Sequence, residues 1–277
     1  MIPAIVDVDW LKSHPHAVLA DVRWYLDGRS GAEAHASGHL PGAVFLDIDT
    51  DLSAPPSLER GRHPLPDPED FAAAMVDAGI SDDSVVVAYD DMGGVSAGRL
   101  VWMLRSLGVD AALLDGGIDV WDGPLTTEEP QETDEDVTFG VRGWGLDVIA
   151  TIEEAVAGAS VIDARSPERY RGDGRSIDTN PGHIPGALSA PALDNLGSDK
   201  RFRPVDELRD RFAVLGVSDA SEVIAYCGSG VSACHDLLAM EHAGLERGRL
   251  FVGSWSQYSA TDRPVATGAD PGIATPA

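Results

Sequence analysis

The chain has 277 residues, 43% of them hydrophobic, which is long enough for one large domain or two ordinary ones with substantial cores. A formal net charge of −26 argues against nucleic acid and anionic membrane surfaces as partners, because both would be repelled. No run of eighteen apolar residues is present, and two cysteines cannot make a disulfide framework. The opening MIPAIVDVDWLKSHPH carries acids and a tryptophan where a secretion signal needs a basic start and a long apolar stretch, so the expected compartment is the cytoplasm. Lys12 and Lys200 are the two lysines, which leaves arginine as the main cation.

Read in chain order, the elements occur twice. V-L-A-D-V-R ending at Arg23 is answered by V-I-D-A-R ending at Arg165, and G-H-L-P-G-A at 38–43 by G-H-I-P-G-A at 182–187. Amphipathic segments follow from Pro66 and from Pro204, then S-V-V-V-A-Y-D against E-V-I-A-Y-C, then Val95-Ser96-Ala97 against Val231-Ser232-Ala233. L-D-G-G-I-D-V-W from Leu114 pairs with F-V-G-S-W-S-Q-Y from Phe251. The offset of about 136 to 144 residues is too long for a solenoid repeat and fits tandem domains. Residues 1–127 read as one copy, 128–148, acidic and rich in turn formers, as a linker, and 149–277 as the second copy.

Within each copy, short apolar runs bounded by turn residues alternate with segments of helical period, which predicts an α/β fold with a mainly parallel sheet. In the second copy the expected strands are 160–164, 187–190, 222–226 and 249–252. Thr151 to Glu154 has the pattern of a capping box, and a buried helix is expected from Ser232 to Gly244.

Cys227, in A-Y-C-G-S-G-V-S-A, falls where a strand ends and a helix is about to start. Gly228 and Gly230 let such a loop curl so that several N–H groups and the helix dipole point at one spot. That setting favours a thiolate, with a pKa below the free value of roughly 8.5. A cysteine chosen blindly is more often a small hydrophobe, and Cys234, on the following helix, keeps that plain reading. No paired cysteine or histidine spacing points to zinc, and the glycine loop lacks the lysine of a nucleotide-phosphate loop, so neither metal nor cofactor is expected.

These motifs resemble the two-domain sulfurtransferases of the rhodanese superfamily, and C-G-S-G-V-S-A is similar to the active-site loop of their 3-mercaptopyruvate-using branch, usually C-G-S-G-V-T. The resemblance covers both copies and implies two tandem rhodanese-like domains, each a parallel sheet flanked by helices. It further implies a silent first domain, whose loop Y-D-D-M-G-G-V-S-A has Asp90 or Asp91 in place of cysteine. The implied activity moves sulfur from 3-mercaptopyruvate, or alternatively thiosulfate, through a Cys227 persulfide to a thiol or cyanide acceptor, with a thioredoxin-like reductant as an expected partner. Ser229, with Asp49 and His63 of the first half, matches the family's proton-handling residues; Ser229 as a helix cap and His63 as a turn residue are the competing readings. His39 and His183 recur in both copies and read as structural.

Arg169 matches the arginine that binds the donor's carboxylate. The second such arginine does not align: its place falls at Ser176 counted from one side and Asp178 from the other, and Arg175 is the nearest arginine. Gly228, Gly230, Val231 and Ser232 complete the implied substrate loop. Arg165, echoed by Arg23, reads as a structural ion pair, and Trp24 and Trp255 read either as cleft lining or as core. Two other classes compete with this reading. A cysteine phosphatase would need an arginine six residues after the nucleophile, where Ala233 stands. A non-enzymatic sulfur carrier or redox module is the remaining alternative.

Overall fold

The computed structural model describes residues 1–128, 137–173 and 177–273. The described residues form two compact units: Met1–Ala54 with Leu65–Trp144 and Ser198–Phe202, and Pro55–Pro64 with Gly145–Gly197 and Arg203–Ala277. The short stretch Pro55–Pro64 of the first half of the sequence therefore belongs to the second unit.

In the first unit the elements run β1 (Ile5–Val6), α1 (Val8–Ser13), β2 (Val18–Asp21), α2 (Gly31–Ser37), β3 (Val44–Phe45), α3 (Pro68–Asp77), β4 (Val85–Tyr89), α4 (Ala97–Ser106) and β5 (Asp110–Leu114). The sheet order is β1-β5-β4-β2-β3, with every pairing parallel. A parallel sheet is covered on both faces, which is why V-V-V-A-Y is apolar throughout rather than alternating; Val86 to Tyr89 are all buried.

The second unit repeats the plan: β6 (Ile149–Ala150), α5 (Ile152–Ala157), β7 (Val161–Asp163), α6 (Pro167–Arg171), β8 (Leu188–Ser189), α7 (Val205–Val214), β9 (Ile224–Tyr226), α8 (Ser232–His242), β10 (Arg249–Phe251) and α9 (Ser254–Tyr258). Its order, β6-β10-β9-β7-β8, is the same order again, and again parallel. The four expected strands are present in shortened form, and β6, a two-residue edge strand, adds a fifth. Thr151 and Glu154 make the reciprocal capping box that starts α5. The core of this unit gathers Val161, Ile184, Ile224, Phe251, Trp255 and Tyr258. Trp255 is fully buried there, with the Arg165 guanidinium 4.6 Å from its ring.

This topology positions a site. In open parallel sheets, ligands collect outside the carboxyl ends of the strands where the chain reverses its direction of travel across the sheet. In the second unit that place lies between β7 and β9, so the turns that leave these two strands face one another. Among the described residues no helix is long and apolar enough to cross a membrane.

Candidate active site

Cys227 is the first residue after β9, and it is 2% exposed. Its backbone is tied at both ends: its N–H donates to Ser254 Oγ at 3.1 Å, and its carbonyl accepts from Trp255 N–H at 3.0 Å. Ser256 N–H holds the next carbonyl, that of Gly228, at 2.9 Å. Ser254 adopts φ +52, unusual for a residue with a side chain, and its own hydroxyl donates to Phe251 at 2.9 Å. The turn into α9 is thus what fixes the cysteine loop.

Within the loop, Gly230 takes φ +80, which brings its N–H 3.1 Å from Cys227 Sγ. Cys234, in the first turn of α8, points its thiol at the Gly230 carbonyl at 3.3 Å. Neither cysteine is part of a disulfide.

The first unit displays what this kind of loop does to an anion. Asp90 follows β4 as Cys227 follows β9, and it is fully buried. One carboxylate oxygen accepts from the N–H groups of Met92 and Gly94, each at 2.8 Å. The other accepts from Ser96 N–H at 2.8 Å, Ala97 N–H at 3.0 Å and the Ser96 hydroxyl at 3.1 Å. Five donors converge on one charge at the start of a helix, an anion nest with its anion built in. Asp90 rather than Asp91 therefore holds the cysteine's place; Asp91 instead accepts from the Tyr25 hydroxyl at 2.7 Å.

Ser229 points to His63: Oγ lies 2.7 Å from the imidazole Nδ1, and both residues are buried. His63 reaches this position on Pro55–Pro64, the stretch that belongs to the second unit. The helix cap expected as an alternative for Ser229 does not form, since Val231 occupies the cap position of α8. Asp49 belongs to the first unit, where its carboxylate accepts from the Trp24 indole N–H at 2.9 Å.

Arg169, on α6 after β7, extends to Gly228. A Cβ on that glycine would stand 2.8 Å from Arg169 Nη2 and 3.0 Å from Nη2 of a second arginine, Arg62. Both arginines pair with Asp178, whose side chain is 2% exposed: Arg62 Nη1 with Oδ1, and Arg169 Nη2 with Oδ2 at 3.4 Å. Burial, then the neighbouring Arg165 cation, pulls the Arg169 guanidinium below its ordinary pKa; Asp178 and the Cys227 sulfur oppose this, while Arg62 adds to it. An open cavity of about 380 Å³ adjoins Arg62 and Asp178, with Leu58, Ile177 and Ser256 also in its wall.

Arg175, named from the sequence as the nearest candidate for a second donor-binding arginine, lies outside the described residues. Arg165 makes a forked pair with Asp163, as Arg23 does with Asp21. His39 and His183 are buried, and each bonds a backbone carbonyl through Nδ1 at 2.8 Å. Arg62, Ser254 and Ser256 were not singled out from the sequence. The first sits beside His63 in R-G-R-H-P, and the other two flank the tryptophan of G-S-W-S-Q-Y, the motif that the repeat had flagged without a role.

A rhodanese-like domain model matches residues 7–123 and again 148–261. A Pseudomonas aeruginosa protein, named a probable 3-mercaptopyruvate sulfurtransferase, is 43% identical over 268 residues, which span 92% of this chain and 94% of that protein. The thiosulfate/3-mercaptopyruvate sulfurtransferase 2 of Arabidopsis thaliana is 30% identical over 92% of this chain and 84% of its own. The crystal structure of SseA from Escherichia coli, a 3-mercaptopyruvate sulfotransferase, superposes with a TM-score of 0.76 at 33% identity, covering 92% of this chain and all of that one. Two matches to one domain model, two sheets of identical strand order and relatives that span nearly the whole length place the duplication beyond a chance repeat: the chain belongs to the two-domain sulfurtransferases built from rhodanese-like domains.

Proposed function

We propose that Cys227 takes a sulfur atom from 3-mercaptopyruvate and passes it to a thiol or cyanide acceptor. The observation that carries this reading is the Gly230 N–H aimed at Cys227 Sγ, in a loop whose counterpart in the first unit cradles a carboxylate with five donors. In the first half-reaction the Cys227 thiolate attacks the donor's sulfur. An S–S bond forms, the donor's C–S bond breaks, and its electron pair stays on carbon as the enolate of pyruvate. The proton of the donor's thiol ends on that carbon, so a thiolate and a thiol become a persulfide anion and pyruvate. The acceptor thiolate, or cyanide, then attacks the outer sulfur and releases the Cys227 thiolate.

In this reading Ser229 and His63 relay the proton, for which a hydrogen-bonded hydroxyl and imidazole are suited. Asp49 is assigned to the same relay by family resemblance alone. The N–H groups of Gly228, Gly230, Val231 and Ser232 stabilise the thiolate and the persulfide, and Arg169 binds the donor's carboxylate. A small thioredoxin-like dithiol protein is the proposed acceptor, and the cytoplasm the proposed compartment.

A second reading, with thiosulfate as donor and sulfite as the leaving group, is favoured by the dual name of the Arabidopsis relative. Steady-state rates with the two donors in one buffer, each with cyanide and with a dithiol, decide between them. A higher kcat/KM for 3-mercaptopyruvate is expected, and the reverse order would transfer the assignment to thiosulfate.

A further inference from the structure

Two guanidiniums stand against Gly228 of the loop, which has no side chain to fend them off, and a single buried carboxylate ties them together. A Cβ on Gly228 would lie 2.8 Å from Arg169 Nη2, 3.0 Å from Arg62 Nη2 and 3.3 Å from Arg169 Nη1. Asp178 engages a different nitrogen of Arg62, Nη1, and takes Nη2 of Arg169, one oxygen to each. We infer that Arg62 and Arg169, aligned by Asp178, form a fork that binds the donor's carboxylate, with Arg62 as its second arm and Asp178 as a positioning residue. The inference deepens the proposed function and rests on it for the identity of the donor.

Three features of the geometry lead there. Two like charges held side by side repel, and a carboxylate bridging them removes most of that cost while leaving one net positive charge, the complement of a monocarboxylate. Guanidinium is planar with five N–H donors, so an arginine that gives one N–H to Asp178 keeps a pair for a second carboxylate. The backbone of Arg62 is fixed as well: its N–H donates to Ser256 Oγ at 3.0 Å, beside the residue whose N–H holds the Cys227 carbonyl. The same short turn therefore sets the cysteine loop and the arm that faces it. The cavity of about 380 Å³ that Arg62 and Asp178 help to line is ample for a three-carbon keto acid.

The test is calorimetric titration of the full-length chain with pyruvate, and with methyl pyruvate as the uncharged control. Arg62→Gln is expected to weaken pyruvate at least tenfold and to leave methyl pyruvate within twofold. Asp178→Asn is expected to weaken pyruvate severalfold and to add nothing when combined with Arg62→Gln, as for two residues acting as one unit. Pyruvate binding indifferent to Arg62 overturns the inference, as does a loss shared equally by methyl pyruvate, a lack of pyruvate binding by the wild type, or tighter binding by Asp178→Asn. The Arg62 side chain is 30% exposed, so Arg62→Gln leaves the core untouched and decides the matter even where Asp178→Asn does not fold. The proposed function fails separately: no sulfur on Cys227 after 3-mercaptopyruvate, with pyruvate affinity still following Arg62, would remove that donor and keep the fork.

Discussion

His63 Nδ1 and Ser229 Oγ stand 2.7 Å apart, 166 residues apart in sequence and both shielded from solvent. A hydrogen bond between a hydroxyl and an imidazole at the mouth of a thiol loop can move a proton or hold one still. If it moves one, His63→Ala and Ser229→Ala each slow sulfur transfer by roughly 100-fold, the usual scale of a positioned acid or base. The double variant is then no slower than the worse single one. Multiplying losses in pre-steady-state turnover would leave the pair a structural contact.

The two cysteines differ in what they face. Cys227 Sγ receives an N–H, whereas the Cys234 thiol donates to a carbonyl inside the core. Cys227→Ser is expected to abolish turnover, and Cys234→Ala to keep most of it. Mass spectrometry of the intact wild type after donor alone should find one added sulfur on the peptide bearing Cys227; sulfur on Cys234 would reverse the assignment.

The duplication, the α/β class and the cysteine loop were legible because they are local: apolar runs, glycines at turns and a repeated motif sit contiguously in sequence. Arg62 was not, for a physical reason. It precedes a histidine and a proline on a stretch of the first half that packs with the second unit, and no periodicity records such a placement. Asp178 entered the sequence reading only as a position where an arginine was missing. Its role as a carboxylate shared by two arginines depends on Arg62 arriving from more than a hundred residues away. Ser254 was hidden differently, since a left-handed φ at a serine is a backbone fact that its side chain does not advertise.

Asp90 makes the first unit's loop dependent on its own anion. Removing the carboxylate leaves four backbone N–H groups buried without an acceptor, and each stranded group costs about 1 to 3 kcal/mol before relaxation or water entry. Asp90→Ala is expected to lower the denaturation midpoint by an amount corresponding to at least about 3 kcal/mol. Asp90→Asn, which keeps one acceptor oxygen, should cost less. Equal midpoints for wild type and Asp90→Ala in urea melts would show that the cradle does not need its anion.

Asp236 supplies a pH dependence. It lies on α8, fully buried, and burial pushes its carboxyl up to about 7, against the pull of Arg211 and the Asn195 amide that donates to it at 2.7 Å. The folded chain thus holds a proton that the unfolded chain gives up near pH 4. The associated stability is complete below that pH and is lost as pH rises through about 7. Asp236→Asn removes the titration. Its melting temperature should exceed that of the wild type at pH 8 and match it at pH 4.5; a constant difference at both pH values would contradict the assignment.

Gly228 has no positive φ to defend, so its lack of a side chain answers to its neighbours. A methyl group there would meet Arg169 Nη2 at 2.8 Å and Arg62 Nη2 at 3.0 Å, too close for either to stay. Both are the far ends of flexible side chains, so they can yield without disturbing β9 or α8. Gly228→Ala is therefore expected to change stability by less than about 1 kcal/mol, since the atoms it meets can move aside and its backbone carries no strain. The displaced guanidiniums no longer meet a carboxylate together, and loss of one charge-assisted hydrogen bond of about 1.5 to 3 kcal/mol corresponds to roughly a tenfold or greater rise in the KM for 3-mercaptopyruvate. The Cys227 loop itself is held from α9 through the carbonyls of residues 227 and 228, which the methyl does not touch, so kcat at saturating donor should fall far less than kcat/KM. A variant that loses kcat while keeping its KM would place the effect of Gly228 on the thiol rather than on the arginines.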